Sequence, residues 1–417
     1  MEFVPFIYFS ILFLAILKKR GFDVGAYVTL LYVITSFAAI ILLQYEPSYR
    51  VYVSFFPTME YCLLLTLFIM PLIRFAPTKI SKVTFCDTRF VKSLIVFYFV
   101  ITVLILVAYH EDFVARFVAT EVLKTRGLIS EGDAFLTPYP RMIQIILNFL
   151  MIFGAMSYML IFVFFFSIGY LHLGKIYNLL TILGSLCAIV VGILGMDRSK
   201  TLFWLLLSGL CCVMFWKHLE PRARKGIVVG GTVLIVVLLS YFAFVTINRF
   251  GQGEDREESA NSIIEYAGQP FINYCYFSEK LHNPEGVTFK YLLPLTHKYI
   301  LKDYKGSVDH QQIITKKTGV ECGVFCSVVG DFIVSDGFLG PFIITLVYLI
   351  LCGLVLRRKR DTISFRRFFL SYAVMIIPCV GIITYLYNNE NTTLPLYLMV
   401  IIMSLMREKK VHVLCAS

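Results

Sequence analysis

The feature that most constrains this chain is a recurrence of apolar runs close to the roughly 20 residues a helix needs to cross the hydrocarbon of a bilayer. They fall near 2–17, 26–43, 57–74, 93–110, 142–170, 176–195, 201–216, 226–247, 330–356, 368–386 and 394–406. Lipid offers no water to satisfy backbone N–H and C=O groups, so each run is expected to be a helix that pairs its own. The chain is 58% hydrophobic and only 16% charged, where a soluble domain is about 45–50% apolar and about 25% charged. The expected fold is an all-α polytopic membrane protein of about 11 transmembrane helices.

The net charge of +11 would suggest nucleic-acid binding on a soluble protein. Here the basic residues cluster at the ends of apolar runs, so membrane topology accounts for them and no nucleic-acid partner is expected. With the N-terminus outside, the inside segments carry Lys18, Lys19 and Arg20, then Lys79, Lys82, Arg89 and Lys92, then Lys175. Lys217 with Arg222, Arg224 and Lys225 follows, then Arg357 to Arg360 with Arg366 and Arg367, and last Arg407, Lys409 and Lys410. That is the positive-inside pattern, and it puts the C-terminus in the cytoplasm. In the first run the charges follow the apolar stretch, so it reads as a span and not as a cleaved leader.

One long polar segment interrupts this pattern, opening at INRFGQGEDREES, continuing through EYAGQPFINYCYF and closing at GDFIVSDGFLGP. The chain therefore divides into residues 1–247 (eight spans, with a smaller outside loop near 111–141), 248–329 (a large outside loop) and 330–417 (three spans and a tail). Apolar residues at helical spacing in the large loop suggest short amphipathic helices on the membrane face, ending near Asn283 and Pro284. Most of the 11 cysteines lie inside apolar runs and read as small buried hydrophobes. Cys322 and Cys326 lie outside them, and a disulfide between the two stays open.

The informative positive charges are those on the outside. The short turn GMDRSKT carries Arg198 and Lys200, and Arg249 closes the eighth run. Snorkelling anchors are the plain alternative. The functional reading is an anion site, since a guanidinium donates two parallel hydrogen bonds to phosphate and stays charged. A lipid-linked diphosphate is the natural anion at that depth. Arg116 and Arg126 in the smaller loop join the candidates. Asp331 and Asp336 open the ninth run, where carboxylates ordinarily complement a helix N-terminus. Their functional reading is a general base or an orienter of an attacking hydroxyl. His310 and His282 are alternative bases near neutral pH. Tyr266, Gln269 and Tyr274 are candidate sugar contacts, with packing as the alternative for the aromatic pair. No Walker motif, HExxH, paired CxxC or outside DxD pair is present, so no metal and no cofactor is expected.

Three stretches resemble the bacterial O-antigen polymerases, the Wzy-type polymerases of oligosaccharide repeat units. They are GMDRSKT, NRFGQ followed by EYAGQPFINYCYF, and VFCSVVGDFIVSDGFLGPFI. In the last the order runs Asp336-Gly337-Phe338, which departs from the family's Asp-aromatic-Gly. The resemblance implies a GT-C-like enzyme of the inner membrane, working at its periplasmic face. It would move a growing glycan from undecaprenyl diphosphate onto a new undecaprenyl-diphosphate-linked repeat unit, for O-antigen or capsule. It also implies a chain-length regulator as partner. In that chemistry Arg198 and Arg249, with Lys200, would stabilise the leaving diphosphate, since fixed donors aimed at developing charge are a large catalytic term. Asp331 would serve the acceptor hydroxyl, with His310 or His282 behind it. An O-antigen ligase and a flippase for lipid-linked sugars are the rival readings.

Overall fold

A computed structural model describes residues 1–75, 77–85, 88–117, 139–195, 197, 199–250, 256–281, 285–356, 362–405 and 412–415. It is mostly helical. Two compact units divide the chain. One joins Met1–Ile80 to Ala260–Val400, and the other joins Ser81–Ser259 to Ile401–Ser417. The units therefore cut across the three consecutive stretches expected from the sequence.

In the first unit, α1 (Val4–Arg20), α2 (Val24–Tyr45) and α3 (Phe55–Arg74) form a packed trio. Lys18, Lys19 and Arg20 fill the last turn of α1, where the helix dipole favours cations. Gly21, at φ +74°, ends it. Asp23 then caps α2 by accepting from the Ala26 N–H at 3.0 Å, and pairs with Arg20 at 3.0 Å. Phe9 fills the centre of the trio, 5.5 Å from the Tyr32 ring.

In the second unit lie α4 (Thr88–Ala108), α5 (His110–Phe117), α6 (Arg141–Ala155), α7 (Met159–Phe166), α8 (Lys175–Ser185), α9 (Cys187–Leu194), α10 (Ser199–Phe215) and α11 (Pro221–Phe250). Two helix breaks in it complete each other. The Ser157 hydroxyl, between α6 and α7, donates to the Ser185 carbonyl at 3.0 Å and accepts from the Ala188 N–H at 2.7 Å, between α8 and α9. Trp204 donates to the Ser185 hydroxyl at 3.1 Å. A strand β1 (Lys82–Phe85) also pairs antiparallel with the C-terminal strand His412–Cys415.

The first unit continues with α12 (Arg256–Lys280), which enters it from residue 260, then α13 (Ser307–Thr318), α14 (Ser327–Asp336), α15 (Gly340–Val355), α16 (Phe365–Val380) and α17 (Glu390–Leu405), which belongs to it up to Val400. Arg367 at the start of α16 donates to the Leu354 and Val355 carbonyls that end α15, at 2.7 and 2.9 Å.

Five helices among the described residues are long and apolar enough to cross a membrane, or seven if each of two bent pairs is one span. The five are Val24–Tyr45, Phe55–Arg74, Thr88–Ala108, Lys175–Leu194 and Ser199–His218. The described residues thus support a helical membrane protein without reaching 11 spans. Two runs read as single spans are not straight. The run 142–170 bends by 55° where Ser157 makes its bonds. The run 330–356 is two helices meeting at 119°. Gly337, at φ +68°, turns the chain there, and a Cβ on Gly340 would collide with the Phe332 carbonyl. Pro341 then opens α15, a position where its missing N–H costs nothing.

The main helix of the large loop, α12, packs one side into the protein: Phe271, Ile272, Tyr274, Cys275 and Phe277 are all buried. Gly268 lets its backbone pass so close to Ala38 and Ala39 of α2 that a Cβ would sit 2.9 Å from their backbone atoms. The helix ends at Lys280, close to the expected stop.

Candidate functional site

All ten residues of α14 are buried, including Asp331, Ser335 and Asp336. A helix this short and this enclosed must answer every polar group inside the protein. Asp331 does so by reaching the segment after α16. Its Oδ2 accepts from the Thr384 hydroxyl at 2.6 Å and the Tyr385 N–H at 2.5 Å, and its Oδ1 accepts from the Cys326 thiol at 3.4 Å. The backbone adds Ser327 N–H to the Ile383 carbonyl at 3.0 Å and Val328 N–H to the Gly381 carbonyl at 2.8 Å. Asp336 ties down the opposite side. Its Oδ1 accepts from the Thr288 and Phe289 N–H groups at 2.8 and 2.5 Å, while the Ser335 hydroxyl accepts from the Tyr291 N–H at 3.3 Å. Both aspartates are therefore clamps that hold loop backbone to α14. With its two oxygens engaged, Asp331 is placed to position chain segments and not to meet a substrate hydroxyl.

Beside this clamp lies a cluster drawn from the polar segment. His310 of α13 is 2% exposed. It bonds to the Val334 carbonyl, while its Nε2 has no hydrogen-bond partner. The Tyr291 and Tyr304 rings lie 5.6 and 6.0 Å from its own. Burial, reinforced by Lys290, takes its pKa down to about 4, so the ring is neutral at pH 7. Donation from Nδ1–H to the carbonyl leaves Nε2 with its lone pair. Lys290 and Lys317 both grip Glu285, at 2.6 and 2.7 Å. Burial pushes the Glu285 pKa up, but the two lysine hydrogen bonds more than reverse this and take it down to about 2.

A third group connects to the first through Tyr61. Glu60 and Tyr61 lie on α3. The Glu60 Oε2 accepts from the Ser278 hydroxyl at 3.2 Å, and its carboxylate interacts with Tyr274. Its Oε1 is buried without a geometrically satisfactory partner. The Tyr61 ring stands 5.2 Å from that of Tyr274, and its hydroxyl neighbours Ser327 at the start of α14. From the half-buried Glu60 through Tyr274, Tyr61, Cys326, Asp331 and Tyr291 to His310, the first unit thus holds one polar band.

The other sequence candidates fall as follows. Tyr274 is completely buried, so its ring packs within the protein and offers no platform for a sugar. Tyr266 is half-buried against Phe325, at 5.4 Å. Gln269 donates to Glu265 at 2.6 Å. In the second unit Arg116 is buried, pairs with Asp112 at 3.4 Å and donates to the Leu194 carbonyl that ends α9. That is the place where a helix favours a cation, and it turns Arg116 inward and away from a ligand role. Lys200 reaches Asp197 at 3.9 Å, and Asp197 caps α10 by accepting from the Ser199 N–H and hydroxyl. Arg126, Arg198 and His282 lie outside the described residues, as does the side chain of Arg249, whose backbone belongs to α11. Cys322 and Cys326 are both free thiols.

Sequence reasoning passed over Glu60, Lys290 and Glu285. For Glu60 a signal existed, because it is the single carboxylate in the run 57–74, and an ionisable group inside a membrane run is a functional candidate. Lys290 and Glu285 gave none, being ordinary charges in a polar loop. Among the described residues no group of three or more His, Cys, Asp or Glu is arranged to hold a metal. Set against models of protein families, curated proteins and solved structures, the chain matches none.

Proposed function

We propose that this chain polymerises lipid-linked oligosaccharide repeat units, transferring a growing glycan from undecaprenyl diphosphate to a new lipid-linked unit at the outer face of a bacterial inner membrane. The product is O-antigen or capsular polysaccharide. The eleven-span, GT-C-like arrangement, with N-terminus periplasmic and C-terminus cytoplasmic, belongs to the same proposal, as does a chain-length regulator as partner. One observation carries it: the polar segment 249–336 supplies a buried histidine, His310, whose Nε2 has no hydrogen-bond partner. Buried polar atoms are nearly always paired, so a neutral imidazole nitrogen left open is free to take a proton.

The proposed chemistry breaks the anomeric C–O bond to the diphosphate as the acceptor hydroxyl oxygen bonds to that carbon. The electron pair leaves with undecaprenyl diphosphate, and the hydroxyl proton passes to a base. A neutral imidazole fits that last role better than Asp331, whose oxygens are already engaged. Stabilisation of the leaving diphosphate by Arg198 and Arg249, with Lys200, rests on the sequence. The test is a gel of surface polysaccharide from cells lacking the protein, complemented with wild type, Arg198→Ala or Arg249→Ala. We expect a ladder with wild type and single-unit product with either variant at equal membrane abundance. Long polymer in both variants would remove the arginines from the mechanism. A normal ladder without the protein, in a strain with no second polymerase, would remove the polymerase.

A flippase for lipid-linked sugars is the second reading, and two features favour it: the 119° break between α14 and α15, and the half-buried Glu60 within an apolar helix. Broken helices and intramembrane carboxylates are where transporters bind. Movement of labelled lipid-linked units across proteoliposomes without polymerisation would choose it.

A further inference from the structure

The second unit contains a cleft that the proposed reaction does not use. Its volume is about 660 Å³, and it opens where α4 and α8 both begin. Each helix starts a candidate membrane span, Thr88–Ala108 and Lys175–Leu194. Its walls carry Lys92, Lys175, His172 and Thr88, and none of the nine lining residues is acidic. Among the described residues neither lysine has a carboxylate partner. Lys92 is held in place, with its Nζ 4.9 Å from the centroid of the Tyr177 ring. Gly174 caps α8 without a side-chain acceptor, so the first N–H groups of α8 also face the cleft end unpaired within the helix.

This is an unbalanced site. Two lysines and the positive ends of two helices border one cleft, and none of the described residues lining it is acidic. Lys175 and His172 are exposed at its mouth, and Lys92 is half-buried. A bound anion relieves the imbalance, and the mixture of charged donors and oriented N–H groups suits tetrahedral phosphate oxygens. The volume lies in the range of ligand pockets and exceeds what a bare ion needs. Its place at the ends of two candidate spans is the level of lipid headgroups.

We propose that the cleft formed by Lys92, Lys175, His172 and the N-terminus of α8 binds a phosphate group, carried by an anionic lipid or free in solution. The inference is independent of the polymerase reading. It is tested on the full chain in detergent by native mass spectrometry with phosphatidylglycerol, with phosphatidylcholine as the zwitterionic control, and with inorganic phosphate. We expect retention of phosphatidylglycerol over phosphatidylcholine, and a loss of roughly 10- to 30-fold in Lys92→Gln/Lys175→Gln, in line with the contribution of two lysines near a membrane surface. Lys92→Arg/Lys175→Arg should retain binding, which controls for folding. Phosphatidylglycerol that millimolar phosphate does not displace identifies the lipid as the source. Displacement, with phosphate binding on its own, identifies free phosphate. Lys18→Gln/Lys19→Gln, at the end of another apolar helix, should leave binding unchanged. An equal loss in that control would reduce the effect to general membrane charge and overturn the proposal, as would unaltered binding in Lys92→Gln/Lys175→Gln.

Discussion

Asp197 and Asp331 make the same pair of hydrogen bonds in two different regions. Each accepts from one hydroxyl and one backbone N–H, and Asp331 also accepts from the Cys326 thiol. For Asp197 both donors belong to Ser199, at 2.5 and 2.9 Å, and its side chain is 44% exposed. For Asp331 the donors are Thr384 and Tyr385, at 2.6 and 2.5 Å, and the residue is 1% exposed. The first carboxylate caps the helix that follows it. The second joins two elements more than 50 residues apart. The difference lies in what happens when the acceptor is removed. Water can replace Asp197, but the Tyr385 N–H facing Asp331 is enclosed, and the Thr384 hydroxyl beside it is half-buried, so their loss of an acceptor costs more.

The largest expected effect follows directly. Asp331→Ala strands the Thr384 hydroxyl and the Tyr385 N–H, at about 1–3 kcal/mol each, so we expect a loss of about 4 kcal/mol. Thermal unfolding in detergent should show it, and faster amide exchange at Tyr385 should accompany it. A variant as stable as wild type would mean that the enclosed and exposed carboxylates are equivalent, and the comparison would fail.

The next effect sharpens the comparison through pH. His310 shares the enclosed region, and its pKa of about 4 lies below the 6.5 of the unfolded chain. Between those values the unfolded chain takes up a proton that the folded chain refuses. The stability contributed by the neutral ring is therefore whole above pH 6.5 and is lost as pH falls to about 4, by about 3 kcal/mol. His310→Gln should flatten that part of the profile. Identical acid slopes in wild type and variant would show that the site is open to solvent.

The smallest effect is Asp197→Ala. Losing a helix cap of this kind costs about 1 kcal/mol, and Asp197→Asn, which keeps an acceptor oxygen, should recover most of it. A loss as large as that of Asp331→Ala would show that exposure does not govern the outcome.

The same contrast explains what could be read from the chain. The Asp197 cap needs only residues two positions apart, and the stop at Gly21 with the Asp23 cap is equally local. The bend inside 330–356 also had local markers in Gly337, Gly340 and Pro341, but uniform hydropathy made it look like one span. Glu60 was legible as a lone carboxylate in an apolar run. Its partner Ser278, 218 positions away, was not. Arg116 carried a charge suited to an outside ligand, yet the fold turns it onto the Leu194 carbonyl, 78 positions on.

Sequence alone determined that this chain is a set of apolar helices, because hydropathy and backbone satisfaction in lipid act within a single run. It also determined where many of those helices start and stop, since caps and turns use neighbouring residues. Only the tertiary structure decided which polar groups are spent on holding the fold and which remain without a partner. That outcome depends on donors brought together from distant parts of the chain, so Asp331 became a clamp while His310 kept an open nitrogen.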